Sequence, residues 1–92
     1  MKAKIRIRKW VDGNWSEGTA SAGGVRCSFC MKHFAEPSQW GIDGGRISKL
    51  QLFARRAGRR LETFANYDRG WDVRPATEAH RAILDALVKK YN

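Results

Sequence analysis

No run of apolar residues in this chain approaches the roughly 20 that a membrane-crossing helix needs, so a transmembrane anchor is not expected. The basic opening, MKAKIRIRKW, lacks the apolar stretch of a signal peptide. The cytosol of its host is therefore the expected compartment. Acids are scarce: nine Asp and Glu face eighteen Lys and Arg, a net charge of +9 on 92 residues. So large an excess calls for a polyanionic partner or an acidic protein surface. Chemistry-bearing motifs are also missing. The glycine pair Gly44-Gly45 leads into a strand pattern and not into a helix, so it is no phosphate-binding loop. Cys27 and Cys30 form a C-x-x-C, but within an extended strand a spacing of three puts the thiols on opposite faces. His33 and His80 are the only histidines that could complete a zinc site. Cys27 is expected in the core and Cys30 as a surface thiol. No catalytic residue, metal, cofactor or small-molecule substrate is expected, and the chain reads as a non-enzyme.

What is present is alternation. Residues 2–10 alternate cation and apolar, the period of a half-buried strand. Ile5 and Ile7 face inward, and Lys2, Lys4, Arg6 and Arg8 share the outer face. VDGN at 11–14 carries the Asp-Gly pair of a tight hairpin. A weak second strand follows over 15–20, then a turn at SAGG. The third strand, 25–34, places Val25, Cys27, Phe29, Met31 and His33 on its apolar face. Two further strands, 46–55 and 60–68, flank RAGR. Their buried face stays open, because Leu50 and Leu52 argue for one side and Ile47 and Phe53 for the other. RGWDVRP reads as a loop, its proline blocking helix. Thr77 then caps a helix over 77–91, whose stripe is Ala79, Ala82, Ile83, Ala86, Leu87 and Tyr91. The whole chain, 1–92, is one α+β domain: a four- to five-stranded antiparallel sheet packed on one C-terminal α-helix.

The segment EPSQWGIDGGRISKL, 36–50, is the most ornate part of the chain. If the hairpin turns near Gly58, Arg46 lies opposite Gly70 and Ser48 opposite Asp68. The loop before the fourth strand then meets the loop after the fifth. Trp40, Arg46, Asn66, Tyr67, Asp68, Arg69 and Trp71 become one candidate partner-binding patch, with Asp43 and Asp72 beside it. The alternative is purely structural: acids capping turns and Trp40 closing a thin core.

PSQWGIDGGRISKL followed by NYDRGWD resembles an uncharacterised family of short proteins carried by bacterial phages and mobile elements. Members show a pattern like PSxYGIxGGRISKL, then NYDRGWD, then a terminal helix, and the likeness covers about 36–92. This chain departs from it at Trp40, where a tyrosine is usual, and in its arginine load at 55–60. The resemblance implies no activity and no site role. Its setting implies a regulator or a counter-defence factor, of which anti-CRISPR proteins are one class.

Two basic clusters carry the functional expectation. Lys2, Lys4, Arg6 and Arg8 lie about 6.5–7 Å apart along one strand face. Arg55, Arg56, Arg59 and Arg60 bracket a hairpin tip, where like charges repel and an anion relieves them. Arg outnumbers Lys by 11 to 7, which favours recognition of phosphate or carboxylate. Trp10, Trp15, Phe34 and Phe53 interleave with these charges and could stack on bases. The first expectation is a protein that binds and inhibits a host nucleoprotein complex, such as a CRISPR effector, without catalysis. The alternative is a general nucleic-acid-binding module or regulator, and a protein-only adaptor is third. RNA against DNA, the oligomeric state and the sheet order are open at this level.

Overall fold

The structure, a computed structural model, describes residues 1–92 apart from Asp12 and the side chain of Val11. Six antiparallel strands form one sheet in chain order: β1 (Ala3–Val11), β2 (Trp15–Ala22), β3 (Val25–His33), β4 (Ile47–Arg56), β5 (Arg59–Asp68) and β6 (Trp71–Val73). One helix, α1 (Glu78–Tyr91), covers one face of that sheet. The α+β architecture is the one the alternation predicts, with six strands in place of four or five. The extra strand is WDV, read above as loop. A tight reversal at Asp68–Gly70, with Arg69 at φ 58°, folds it back onto β5. Among the described residues no helix is long and apolar enough to cross a membrane.

Two hairpins close on two-residue turns in which both central residues have positive φ: Gly23-Gly24 (54°, 82°) and Ala57-Gly58 (51°, 77°). Such turns match the twist of the strands they join. The expected Asp-Gly turn at 11–14 involves Asp12 and lies outside the described residues.

Bulges decide the faces. A register shift at Ser48 puts Ile47, Leu50 and Leu52 on the same inner face, so both sets of apolar residues except Phe53 point at the helix. Two further shifts, around Phe64 and Leu61, coil the β4–β5 hairpin. A simple period of two cannot see an inserted residue, and each insertion reverses the faces beyond it. The same shifts move the pairing: Lys49, not Ser48, lies opposite Asp68.

β2 runs to Ala22 and is not weak. Ser16, Gly18, Ala20 and Ala22 are its buried positions, and their small size is what the packing needs. A Cβ on Gly18 would overlap the Phe29 ring and the Arg6 carbonyl. Phe29, Met31, Leu50, Leu52, Ile83 and Leu87 are at most 1% exposed and form the centre of the core. Each such side chain contributes about 1.5–3 kcal/mol by burial. Val25, expected inside, is exposed at the start of β3, and His33 is half-buried. At the helix start the Thr77 hydroxyl accepts from the His80 N–H at 3.1 Å, the predicted cap.

Candidate nucleic-acid interface

The two loops meet, as the hairpin register predicts. The Tyr67 hydroxyl donates to the Trp40 carbonyl at 2.9 Å, and the Arg69 N–H donates to the Ser48 carbonyl at 3.0 Å. Trp71 stands edge-on to Tyr67 with ring centres 5.1 Å apart. The residues of the expected patch do not form one surface, however. Tyr67 belongs to the core and Trp71 packs against it, while Arg46 is half-buried. Asn66 and Asp68 alternate with Tyr67 and point to the opposite face of the sheet. Asp68 lies 3.7 Å from both Lys49 and Arg69. Trp40, 54% exposed, is the one large side chain of the 36–45 loop that stays open.

The ornate loop has an internal occupant that the sequence reading missed. Asn92, just past α1, donates from its carboxamide to the Ile42 carbonyl at 2.8 Å and accepts from the Ile47 N–H at 3.0 Å. Gly45 is a glycine because a Cβ there would overlap that carboxamide. The loop is therefore the seat of the helix end. Beside it, His33 lies between Trp10 and Tyr91, with ring centres 5.9 and 5.4 Å away. Burial, and secondarily the Arg46 charge, lower the His33 pKa.

The opposite face of the sheet carries no helix. Strand pairing places Lys4 and Arg6 of β1 opposite Ser21 and Thr19 of β2 on this face. Arg8 sits at a bulge, after which Lys9 comes opposite Glu17 with an ion pair of 3.7 Å. Lys2 leaves the strip: it precedes β1 and lines a groove with Glu78 and Asp85 of the helix. The arginine tip divides. Arg55 and Arg60 fold back over Phe53, 5.4 and 4.1 Å from its ring centre, while Arg56 and Arg59 stand exposed beside the turn. Phe53, expected as a stacking residue, is 1% exposed beneath them. Arg8 from β1 and Arg55 from β4 line one depression of about 360 Å³, floored by Thr19, Ser28 and Phe53. Two clusters almost fifty positions apart thus share a single surface. Trp10 belongs with the helix end and not with this face. Trp15 and Phe34 do flank it, with the Lys32 ammonium 5.8 and 5.3 Å from their rings.

Across the middle of the same face runs a row of polar side chains, Lys9, Glu17, Cys30, Gln51, Asn66 and Asp72, drawn from all six strands. The Cys30 thiol donates to Gln51 Oε1 at 3.6 Å, and Arg60 donates to both Gln51 and Cys30. Gln51 Nε2 donates to Asn66 Oδ1 at 3.3 Å, and Asn66 Nδ2 to Asp72 at 3.2 Å. Cys30 is thus not a surface thiol; Arg60 and Gln51 cover it to 8% exposure. Burial raises its pKa, with Arg60 opposing, and burial pushes Cys27 up to about 11. Cys27 lies in the core and Cys30 on the outer face, so the C-x-x-C does not converge. Glu17, Gln51 and Lys49 escaped the sequence reading. Their only signal was a polar residue at every second position, which also describes ordinary solvated strands.

The architecture defines a class: a small α+β protein whose single helix covers one face of an antiparallel sheet and leaves a basic face open. By its sequence the chain belongs to the family described as Domain of unknown function (DUF7678), which matches residues 14–92. The match takes in β2 through α1, and the whole of β1, with its row of cations, precedes it. Among curated proteins and solved structures, none matches the chain.

Proposed function

We propose that this protein binds nucleic acid, without catalysis, by laying the phosphate backbone across the open face of its sheet. The observation that carries this reading is the convergence of Arg6 and Arg8 with Arg55 and Arg60 on the one face the helix does not cover. Arginines held side by side with few acids between them repel one another, and phosphates relieve that repulsion. Each phosphate neutralised adds about 0.7–0.9 to the slope of log affinity against log salt. Replacing Arg6, Arg8, Arg55 and Arg60 together by alanine is expected to flatten that slope by about 3. An unchanged slope refutes the reading.

A narrower role, inhibition of a host nucleoprotein complex such as a CRISPR effector, draws support from the resemblance to phage and mobile-element proteins. One structural observation favours it. Trp40 is anchored through its own carbonyl by Tyr67 yet presents its ring to solvent, as a protein-docking aromatic would. A tagged pull-down from a bacterial lysate with an active CRISPR system tests this role. Defined proteins that survive nuclease treatment, and are lost in Trp40→Ala, are expected for an inhibitor. Capture of nucleic acid alone removes that role and leaves the general binder.

A further inference from the structure

Beside the cationic depression lies a second one of about 340 Å³, and Glu17 lines both. Its character is different. Trp15 forms one side, Arg60 overhangs another, and the carboxamides of Gln51 and Asn66 and the Lys49–Asp68 pair line the rest. Its volume is at the small end of ligand pockets, which run from about 300 to 1,000 Å³. That size suits one nucleobase and not a duplex.

Hydrogen-bond capacity narrows the ligand further. Both lone pairs of Gln51 Oε1 are taken, by Cys30 and Arg60. Gln51 Nε2 gives one hydrogen to Asn66, and Asn66 Nδ2 gives one to Asp72. A carboxamide nitrogen carries two hydrogens, so each of these keeps one N–H unengaged within the protein. The depression therefore offers amide donors and the Lys49 ammonium, with the Glu17 and Asp68 carboxylates, each already paired to a cation, as its acceptors. A base with ring carbonyls and a ring N–H, such as thymine, uracil or guanine, complements that set. Adenine and cytosine present an amino group where the keto bases present an oxygen.

We infer that this depression takes a single unstacked keto base, so that the strand bound is single-stranded and read at one position. The inference rests on the proposed binding of nucleic acid by this face. Backbone phosphates lie over Arg8 and Arg55 while the adjacent base turns down beside Trp15, where stacking on the indole adds affinity irrespective of base.

The test is fluorescence anisotropy with labelled dT12, dA12, dC12 and a mixed-sequence 12-mer duplex, at several salt concentrations, on the wild-type chain, on Gln51→Ala/Asn66→Ala and on Arg6→Ala/Arg8→Ala. Circular dichroism confirms that each variant is folded. We expect dT12 to bind about tenfold tighter than dA12 and dC12, the size of one good base contact, and tighter than the duplex. The amide variant is expected to lose that preference while keeping the salt slope. The arginine variant is expected to keep the preference while losing slope. Binding that is indifferent to base, a preference that survives in the amide variant, or a duplex that binds as well as dT12, overturns the base pocket and leaves nucleic-acid binding standing. No binding of any oligonucleotide at low salt overturns both.

Discussion

The loop at 36–45 and the open face of the sheet are both rich in charged, aromatic or glycine residues, and in the sequence they look equally functional. Their side chains have opposite fates. In the loop, Gly45 and the Trp40 and Ile42 carbonyls are met by the chain itself: Asn92 bridges Ile42 and Ile47, and Tyr67 holds Trp40. On the open face, most arginines have no carboxylate within ion-pairing distance, and the described ion pairs there engage only Lys9, Lys49 and Arg69. An unusual local sequence is thus a poor guide to function when the fold supplies a partner for it. A repetitive, ordinary-looking one becomes informative when the fold leaves its charges together without one.

That contrast can be broken by experiment. The largest effect is expected in the loop. Gly45→Ala drives a methyl into the Asn92 carboxamide and displaces it from its two partners, a loss of about 1–3 kcal/mol, or roughly 4–24 °C in Tm. A Tm unchanged from wild type would show that the loop is not the seat of the helix end. Next comes Arg6→Ala/Arg8→Ala on the open face, which should weaken nucleic-acid binding at moderate salt while moving Tm little. A large fall in Tm would mean that those arginines hold the sheet and not a partner. Asn92→Ala leaves the Ile42 carbonyl and the Ile47 N–H without their partner and is expected to lower stability by about 1–3 kcal/mol in denaturant titration, with the salt slope unchanged.

The smallest effect is the pH response. Burial lowers the pKa of both His33 and His80, the latter against an opposing pull from Glu62. The unfolded chain then binds protons more readily than the folded one between the folded values and the ordinary value of about 6.5. The stability tied to these residues is therefore fully present above that pH and declines as pH falls through the folded values. Melting curves from pH 7.5 down to 5 should show Tm falling, and His80→Gln should lessen the fall. A Tm that rises on acidification would refute the assignment.

Much of the fold was legible. The strand at 2–10, the helix with its Thr77 cap and the meeting of the two loops all follow from period, turn chemistry and hairpin geometry. Local preferences that agree with one another survive into the tertiary structure. What failed did so at bulges and short elements. Ile47 and Leu50 seemed to face opposite ways because a period of two does not register the extra residue at Ser48. β6 is three residues long and too short to show a period. Cys30 looked exposed because nothing in VRCSFCMKHF announces that Arg60, thirty positions on, lies over it.

The sequence by itself determined the class of fold, the sign of the charge and the apolar stripe of the helix, because burial of apolar area follows periodicity along the chain. Only the tertiary structure decided that the strand cations and half of the arginine tip share one face, that Phe53 lies beneath arginines, and that a row of polar side chains crosses all six strands. Those facts depend on register and bulges between strands distant in the chain, and register is set by how whole strands pack against one another and the helix, not by any single stretch of residues.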